Sequence, residues 1–346
     1  MSTIRAGNTS TTGLTYTSDT TGQLNLEAAG GIVKINGTGA LTTPVGTTAE
    51  RPATPAAGMT RYNTTNNQIE YYTGTDWYGI TAINLSTYNI ELLVVGGGGA
   101  GAYAAEHQGG GGGGGGQINY KSSLAVNPSL QYTVTVGAGG AITSNTGPSI
   151  TGATSGFVNN SLIVSIEALG GYTPIRQNAG PGGNTSKLVN SVLTNYTGGT
   201  GAGSNGAYDL SGGGGAGAGG NGNNASAGIG GVGGNGYLSS VSGSAAYYAG
   251  GGGGGSDATG GAGTHGGGRG EDDTSGNSTA GTTNTGGGGG GAGGRWGFSS
   301  STYPKAGGSG VVILRYLGSQ RGTGGTVTTS GGYTIHTFTT SGTYTA

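Results

Sequence analysis

Tyr88-Asn89-Ile90-Glu91-Leu92-Leu93-Val94-Val95-Gly96-Gly97-Gly98-Gly99 is the stretch on which the fold of this chain turns. Its first eight residues read as an apolar, branched strand, and the chain then passes directly into residues that have no Cβ. The juxtaposition recurs. Further glycine runs stand at Gly109 to Gly116, Gly212 to Gly215, Gly250 to Gly255 and Gly286 to Gly291, and further strand patterns at Gln131 to Gly137, Leu162 to Gly170, Val311 to Tyr316 and Tyr333 to Tyr344. Runs of this kind have two fates: to stay disordered, or to form extended helices whose backbones pack directly on other backbones.

Composition bears on the choice. Glycine supplies 89 of 346 residues without a collagen-type triplet, which by itself is a low-complexity signature. Ordering glycine also costs more backbone entropy than ordering any other residue. Yet charged residues are only 7% of the chain and the runs are bracketed by β-branched segments, the reverse of a disordered composition. The expectation is therefore order. Polyglycine can take the polyproline II geometry, about 3.1 Å of rise per residue and three residues per turn, with every amide and carbonyl pointing outward. Neighbouring helices of this kind would satisfy one another's backbones, and six to eight glycines would span about 19 to 25 Å. Residues with side chains would be expelled from such a lattice, and the branched strands would supply the only conventional core, a β-sandwich.

The expected fold is all-β: a short N-terminal β-hairpin attachment module, then a β-sandwich with an inserted polyglycine II helix bundle. Residues 1–41 read as a polar, Thr-rich β segment for attachment and oligomerisation. In 42–85, Pro44, Pro52 and Pro55 mark Thr42 to Gly58 as a stiff connector. After it, Gly58 to Tyr78 carries two aromatic strand patterns around an Asn/Thr turn, followed by a third short strand. Residues 86–346 form the glycine-rich domain.

Arg61-Tyr62-Asn63 and Tyr72-Thr73-Gly74-Thr75-Asp76-Trp77 resemble a module of bacteriophage tail fibres and other virion appendages, and the opening Ser2 to Thr9 resembles the start of such proteins. Tyr132 to Gly140, Gly307 to Tyr316 and Gly331 to Tyr344 resemble the glycine-rich domain of phage fibres and bacterial surface proteins, including phage tip adhesins. The resemblance implies a virion location, attachment to other virion proteins through the N-terminal region, a homotrimer, and a host cell-surface receptor, protein or glycan, for the glycine-rich region. A head, collar or neck decoration fibre is the alternative.

Between the runs lie clusters of large residues, read as loops on a rigid scaffold, where binding residues accumulate and where Tyr, Trp and Arg are favoured. The receptor-binding candidates are Tyr103, His107, Tyr172, Arg176, Tyr208, Tyr237, Tyr247, Tyr248, His265, Arg269, Trp296, Phe298 and Tyr303. Each tyrosine taken singly has a plainer role, folding down to cover the lattice. The segment from Ser256 to Thr285 reads as a solvated acidic loop.

Other chemistry finds little footing. With a formal net charge of −1 and no basic stripe, nucleic-acid binding is not expected. The absence of cysteine removes disulfides and thiolate metal sites. None of the four lysines follows a glycine loop as a P-loop requires. The single Gly267-to-Asp273 match to a calcium-binding nonapeptide lacks stacked copies. His107, His265 and His336 have no metal-ligand spacing, and no catalytic triad or carboxylate pair stands out. Neither a cofactor, a metal nor an enzymatic activity is expected. Met1 to Gly13 lacks a signal-peptide core and no segment has the length of a membrane span, so neither the usual secretion route nor membrane insertion is expected.

Overall fold

A computed structural model of the chain describes residues 43–80, 87–104, 108–142, 150–159, 161, 164–174, 182–202, 210–272, 277–294 and 303–346. The expected N-terminal segment 1–41 lies outside the described residues. Among these the fold is all-β, with several mixed sheets and no α-helix. The chain divides into two compact units, Met1–Ile83 and Asn84–Ala346.

In the first unit, β1 (Val45–Gly46), β2 (Thr60–Asn63), β3 (Gln68–Tyr72) and β4 (Trp77–Ile80) follow one another in a four-stranded sheet. β1 runs parallel to β2 and the other pairs are antiparallel. The turn between β2 and β3 places Asn67 at φ 56°, a left-handed conformation that asparagine tolerates better than most residues. The Pro-containing stretch is more than a connector: it supplies β1 and a 3₁₀ turn at Thr48–Glu50, and Pro44 accepts a hydrogen bond from the Tyr62 amide at 2.8 Å. This puts proline at the sheet edge, where a missing N–H costs no ladder bond. Glu70, fully buried, is held by Arg51 at 2.6 Å, Arg61 at 3.5 Å and the Asn63 amide at 2.9 Å. A carboxylate taken out of water needs such partners, and Arg51, foremost among them, keeps it below the usual carboxylate pKa range.

The second unit contains β5 (Tyr88–Val95), β6 (Ile118–Val126), β7 (Gln131–Thr135), β8 (Ser155–Asn159), β9 (Val164–Ala168), β10 (Thr185–Val189), β11 (Val192–Tyr196), β12 (Tyr237–Ser239), β13 (Ala246–Tyr248), β14 (Val311–Leu317), β15 (Thr326–Ser330), β16 (Tyr333–Phe338) and β17 (Gly342–Thr345). Seven strands form one sheet in the order β11-β10-β6-β5-β14-β16-β15, and four form another, β17-β7-β8-β9. The continuous apolar reading of β5 has a two-sided cause. Ile90, Leu92 and Val94 face a core shared with Tyr132, Val134, Phe157 and Tyr344 of the four-stranded sheet, whereas Leu93 and Val95 face Val241, Tyr248 and Ala249. A strand buried on both faces loses the polar alternation of a half-buried one. The closing Tyr333-to-Tyr344 pattern is two strands in different sheets, β16 pairing β14 and β17 pairing β7. Tyr237 to Tyr248, read as a loop, is the β12–β13 hairpin.

The glycine runs pass back and forth between these sheets and the opposite end of the unit. In the run from Gly250, the amides of Gly251 and Gly254 donate to Gly234 and Gly231, those of Gly252 and Gly255 to Gly113 and Gly110, and those of Gly253 and Ser256 to Gly268 and Glu271, all at 2.8 to 3.0 Å. Donors to one neighbour thus recur every third residue. The run's carbonyls accept in turn from Gly288 and Gly291, from Gly212 and Gly215, and from Gly261 and Thr264. The run beginning at Gly96 repeats the period: Gly96, Gly99 and Ala102 donate toward Gln117, Gly114 and Gly111, Gly97 and Ala100 toward Ala153 and Ile150, and Gly98 and Gly101 toward Gly308 and Lys305.

Neighbours this close leave no room for a side chain at many positions. A Cβ on Gly113 would collide with the carbonyl oxygen of Gly99, and one on Gly252 with that of Gly289. The expected expulsion of every side chain is nevertheless too strict. Ala100, Ala102, Ala216, Ala218 and Ala292 are buried, and so are Ser211 and Ser256, whose hydroxyls bond each other at 3.0 Å. Methyl and hydroxymethyl groups find space where larger ones are excluded. The described residues of the Ser256-to-Thr285 segment are likewise not simply a solvated loop. Residues 259–264, 266–271 and 279–282 join the array, and Glu271 is fully buried with Ser278 Oγ donating to its carboxylate.

Gly113→Val is expected to lower the melting temperature of the second unit by about 6 °C or more, reflecting overpacking of roughly 3 kcal/mol. Gly220→Ala, whose Cβ would meet nothing closer than 3.6 Å, is expected to leave it unchanged. Differential scanning calorimetry of the two variants checks the contrast.

Candidate functional site

Hydrogen-bond register sorts the candidate residues by end. At the sheet end, Gly96 meets Gln117, Gly116 meets Gly286, and Ala218 meets Ala249. At the opposite end, Gly110 meets Ala292, Gly255 meets Gly110, Ser256 meets Glu271 and Gly101 meets Lys305. Tyr103, Arg269 and Tyr303 belong to the opposite end, each partly buried. Arg269 pairs with Asp272 at 2.6 Å, and the Asn277 amide donates to the same carboxylate oxygen at 2.6 Å. His107, Arg176, Tyr208, Trp296 and Phe298 lie outside the described residues.

Tyr237, Tyr247, Tyr248 and His265 gather instead at the sheet end, so the candidates do not share one surface. Tyr248 is buried in the core beside Val241 and Ile313. Tyr237 lies 6.3 Å from the ring of Tyr120 and beneath the Lys187 ammonium at 5.8 Å. Burial pushes its phenol pKa up, with the Glu91 charge adding to the effect. Tyr120 itself donates to Glu91, which pairs with Arg315. His265 is a turn residue. Its φ of 45° and that of Gly266 at 92° reverse the chain, closed by the Gly267 amide on the Thr264 carbonyl at 2.7 Å. Its Nδ1 accepts from the Gly236 amide at 3.2 Å and its ring stacks on Tyr247 at 3.7 Å. For these four residues the covering role accounts for what they touch, although Tyr247 remains 43% exposed.

Tyr172 stands apart from both groups. It is 57% exposed and lines a 270 Å³ cleft with Gln117, Leu169, Thr185, Leu193 and Asn195. Gln117 is fixed there, donating through Nε2 to Ser186 Oγ at 2.7 Å and accepting at Oε1 from the Leu169 amide at 2.9 Å. Apart from Tyr172, none of these residues carries a motif that sequence reading could isolate. They meet only because β10, β11 and the end of the Gly109 run converge.

His336 is fully buried on β16. Its Nδ1 is 2.8 Å from the Gly324 carbonyl and its Nε2 is 3.0 Å from Tyr316 Oη, which itself accepts from the amides of Arg321 and Gly322. The set closes when Nδ1–H donates to Gly324 and Tyr316 donates to Nε2, which makes the imidazole neutral. Burial lowers its pKa below the usual histidine value. Among the described residues no group of three or more His, Asp or Glu is arranged to hold a metal ion, and no helix is long and apolar enough to cross a membrane.

Residues 77–317, more than half of the chain, match the glycine-rich domain family, and the chain belongs to that family. The match begins at the first residue of β4 and ends with β14, so β15, β16 and β17 follow it. No curated protein and no solved structure matches the chain significantly.

Because the folded pKa of His336 is lowered, the unfolded chain binds the extra proton first. Its contribution to stability is complete above the unfolded value of about 6.5 and is lost as pH falls below it, by at most about 1.4 kcal/mol per pH unit. Thermal melts between about pH 7 and pH 5.5 are expected to show a falling midpoint in the wild type and a flatter profile in His336→Gln.

Proposed function

We infer that this chain is a structural protein of a phage virion, a tail fibre or adhesin whose glycine-rich domain displays loops to a receptor on the host surface. The observation that carries this reading is the backbone array of the second unit, which runs from the sheet end to an opposite end and excludes large side chains. Turns held on such a scaffold are well suited to binding, because the scaffold bears the cost of their placement. Tyr103, Arg269 and Tyr303 lie toward that opposite end.

The recurrence of donors at every third residue matches the three-residue turn of a polyproline II helix. On that basis we read the array as a polyglycine II bundle, inserted into a β-sandwich made by the seven-stranded and four-stranded sheets. The first unit, with its fibre-like Arg61-Tyr62-Asn63 strand, is read as the part that trimerises and joins other virion proteins. Trimerisation would present three copies of each loop, raising avidity without new contacts.

Two measurements on intact particles test the reading. An antibody to residues 84–346 is expected to label a distal appendage, and the soluble chain is expected to bind host cells and compete with phage adsorption. Labelling at the head or collar without competition would favour a decoration fibre. Particles that carry no label at all would overturn the virion assignment.

A further inference from the structure

We propose that the cleft between Tyr172 and the β10–β11 hairpin binds one ring of a neutral saccharide. The cleft lies by the sheet end, away from the opposite end of the array, so this inference holds or fails independently of a receptor site there.

Three observations lead to it. The first is size. At 270 Å³ the cleft lies just below the roughly 300 to 1,000 Å³ of drug-sized sites, which suits one small ring better than an extended ligand.

The second is chemistry. Tyr172 presents an exposed aromatic face, while Gln117 and Asn195 contribute amides and Thr185 and Ser186 hydroxyls, and among the described residues no charged side chain lines the cleft. A sugar ring has a C–H face that packs on an aromatic surface and an equatorial fringe of hydroxyls that exchange hydrogen bonds with amides and hydroxyls. Leu169 and Leu193, exposed by 50% and 57%, widen the apolar wall.

The third is preorganisation. The Tyr172 backbone is locked in the array, its amide donating to Asn184 at 3.1 Å and its carbonyl accepting from Gly114 at 3.0 Å. Gln117 is held at both ends of its amide, and Ser186 sits opposite Asn195 in the β10–β11 register. Holding these groups before binding lowers the ordering cost that makes most saccharide sites weak. In the same wall, the Thr185 hydroxyl is buried and has no hydrogen-bond partner among the described residues. A buried hydroxyl of that kind is costly unless something else uses it.

Saturation-transfer NMR on the whole chain tests the proposal, using neutral hexoses and N-acetylhexosamines at millimolar concentration, with hexuronic acids as the charged comparison. At least one neutral sugar is expected to receive saturation. Tyr172→Ala and Thr185→Val are each expected to weaken its binding by about tenfold, whereas Tyr172→Phe retains it. Thr185→Val is isosteric and removes an unpaired hydroxyl, so its melting temperature is expected to equal or exceed that of the wild type, which separates lost binding from lost folding. Absence of transfer from every neutral sugar, equal transfer after both substitutions, or preference for the hexuronic acids would overturn the proposal.

Discussion

The second unit depends on how closely one backbone can approach another. Where Gly113 passes Gly99, or Gly252 passes Gly289, the neighbouring carbonyl oxygen occupies the space a β-carbon would need. That proximity lets amides and carbonyls of one run reach different neighbours in turn, so the polar groups of an interior with few side chains are still paired. Individual hydrogen bonds are worth about 0.5 to 1.5 kcal/mol net. The array is stable because each added run completes bonds on several others at once, and because the sheets anchor one end through Leu92, Leu93, Phe157 and Tyr344.

Two kinds of interior therefore coexist. Between the sheets, burial of branched and aromatic side chains supplies the stabilisation, about 1.5 to 3 kcal/mol for each fully buried large group. In the array it is supplied by direction and distance alone. The boundary is sharp, as at Val95 and Gly96, where one residue belongs to the apolar core and the next already points its amide at Gln117. His336, a polar exception in the core, is paired with Tyr316 and Gly324.

Much of this was legible in the sequence, and the reasons it was or was not are physical. The five glycine runs and the strand patterns of β5, β7 and β14 stand out because a missing Cβ and a two-sided apolar run leave unmistakable composition. Less visible was what depends on partners distant in the chain. The Tyr333-to-Tyr344 pattern gives no hint that Ser341 and Gly342 move it into another sheet, and the Ser256-to-Thr285 segment looks acidic and solvated because its glycines are scattered. Of the candidate residues, Tyr237, Tyr247, Tyr248 and His265 read in the sequence as loop residues. The structure places them in a hairpin and a tight turn at the sheet end. The cleft at Tyr172 was half legible: the aromatic could be picked out, but Gln117, Thr185 and Asn195 acquire meaning only through convergence.

The hydrogen bonds of the array are also long in sequence. Gly101 waits for Lys305, Gly98 for Gly308 and β5 for β14, with the whole of the intervening chain to be made before those partners exist. Folding of the second unit is therefore governed by closure of its last passage. Early runs have no complete set of neighbours, and Leu92 to Val95 lack one wall of their sheet, until residues 305–317 arrive. Contact order this high makes assembly slow and strongly cooperative. A chain shortened just before Lys305 would lose the closing passage rather than a peripheral one.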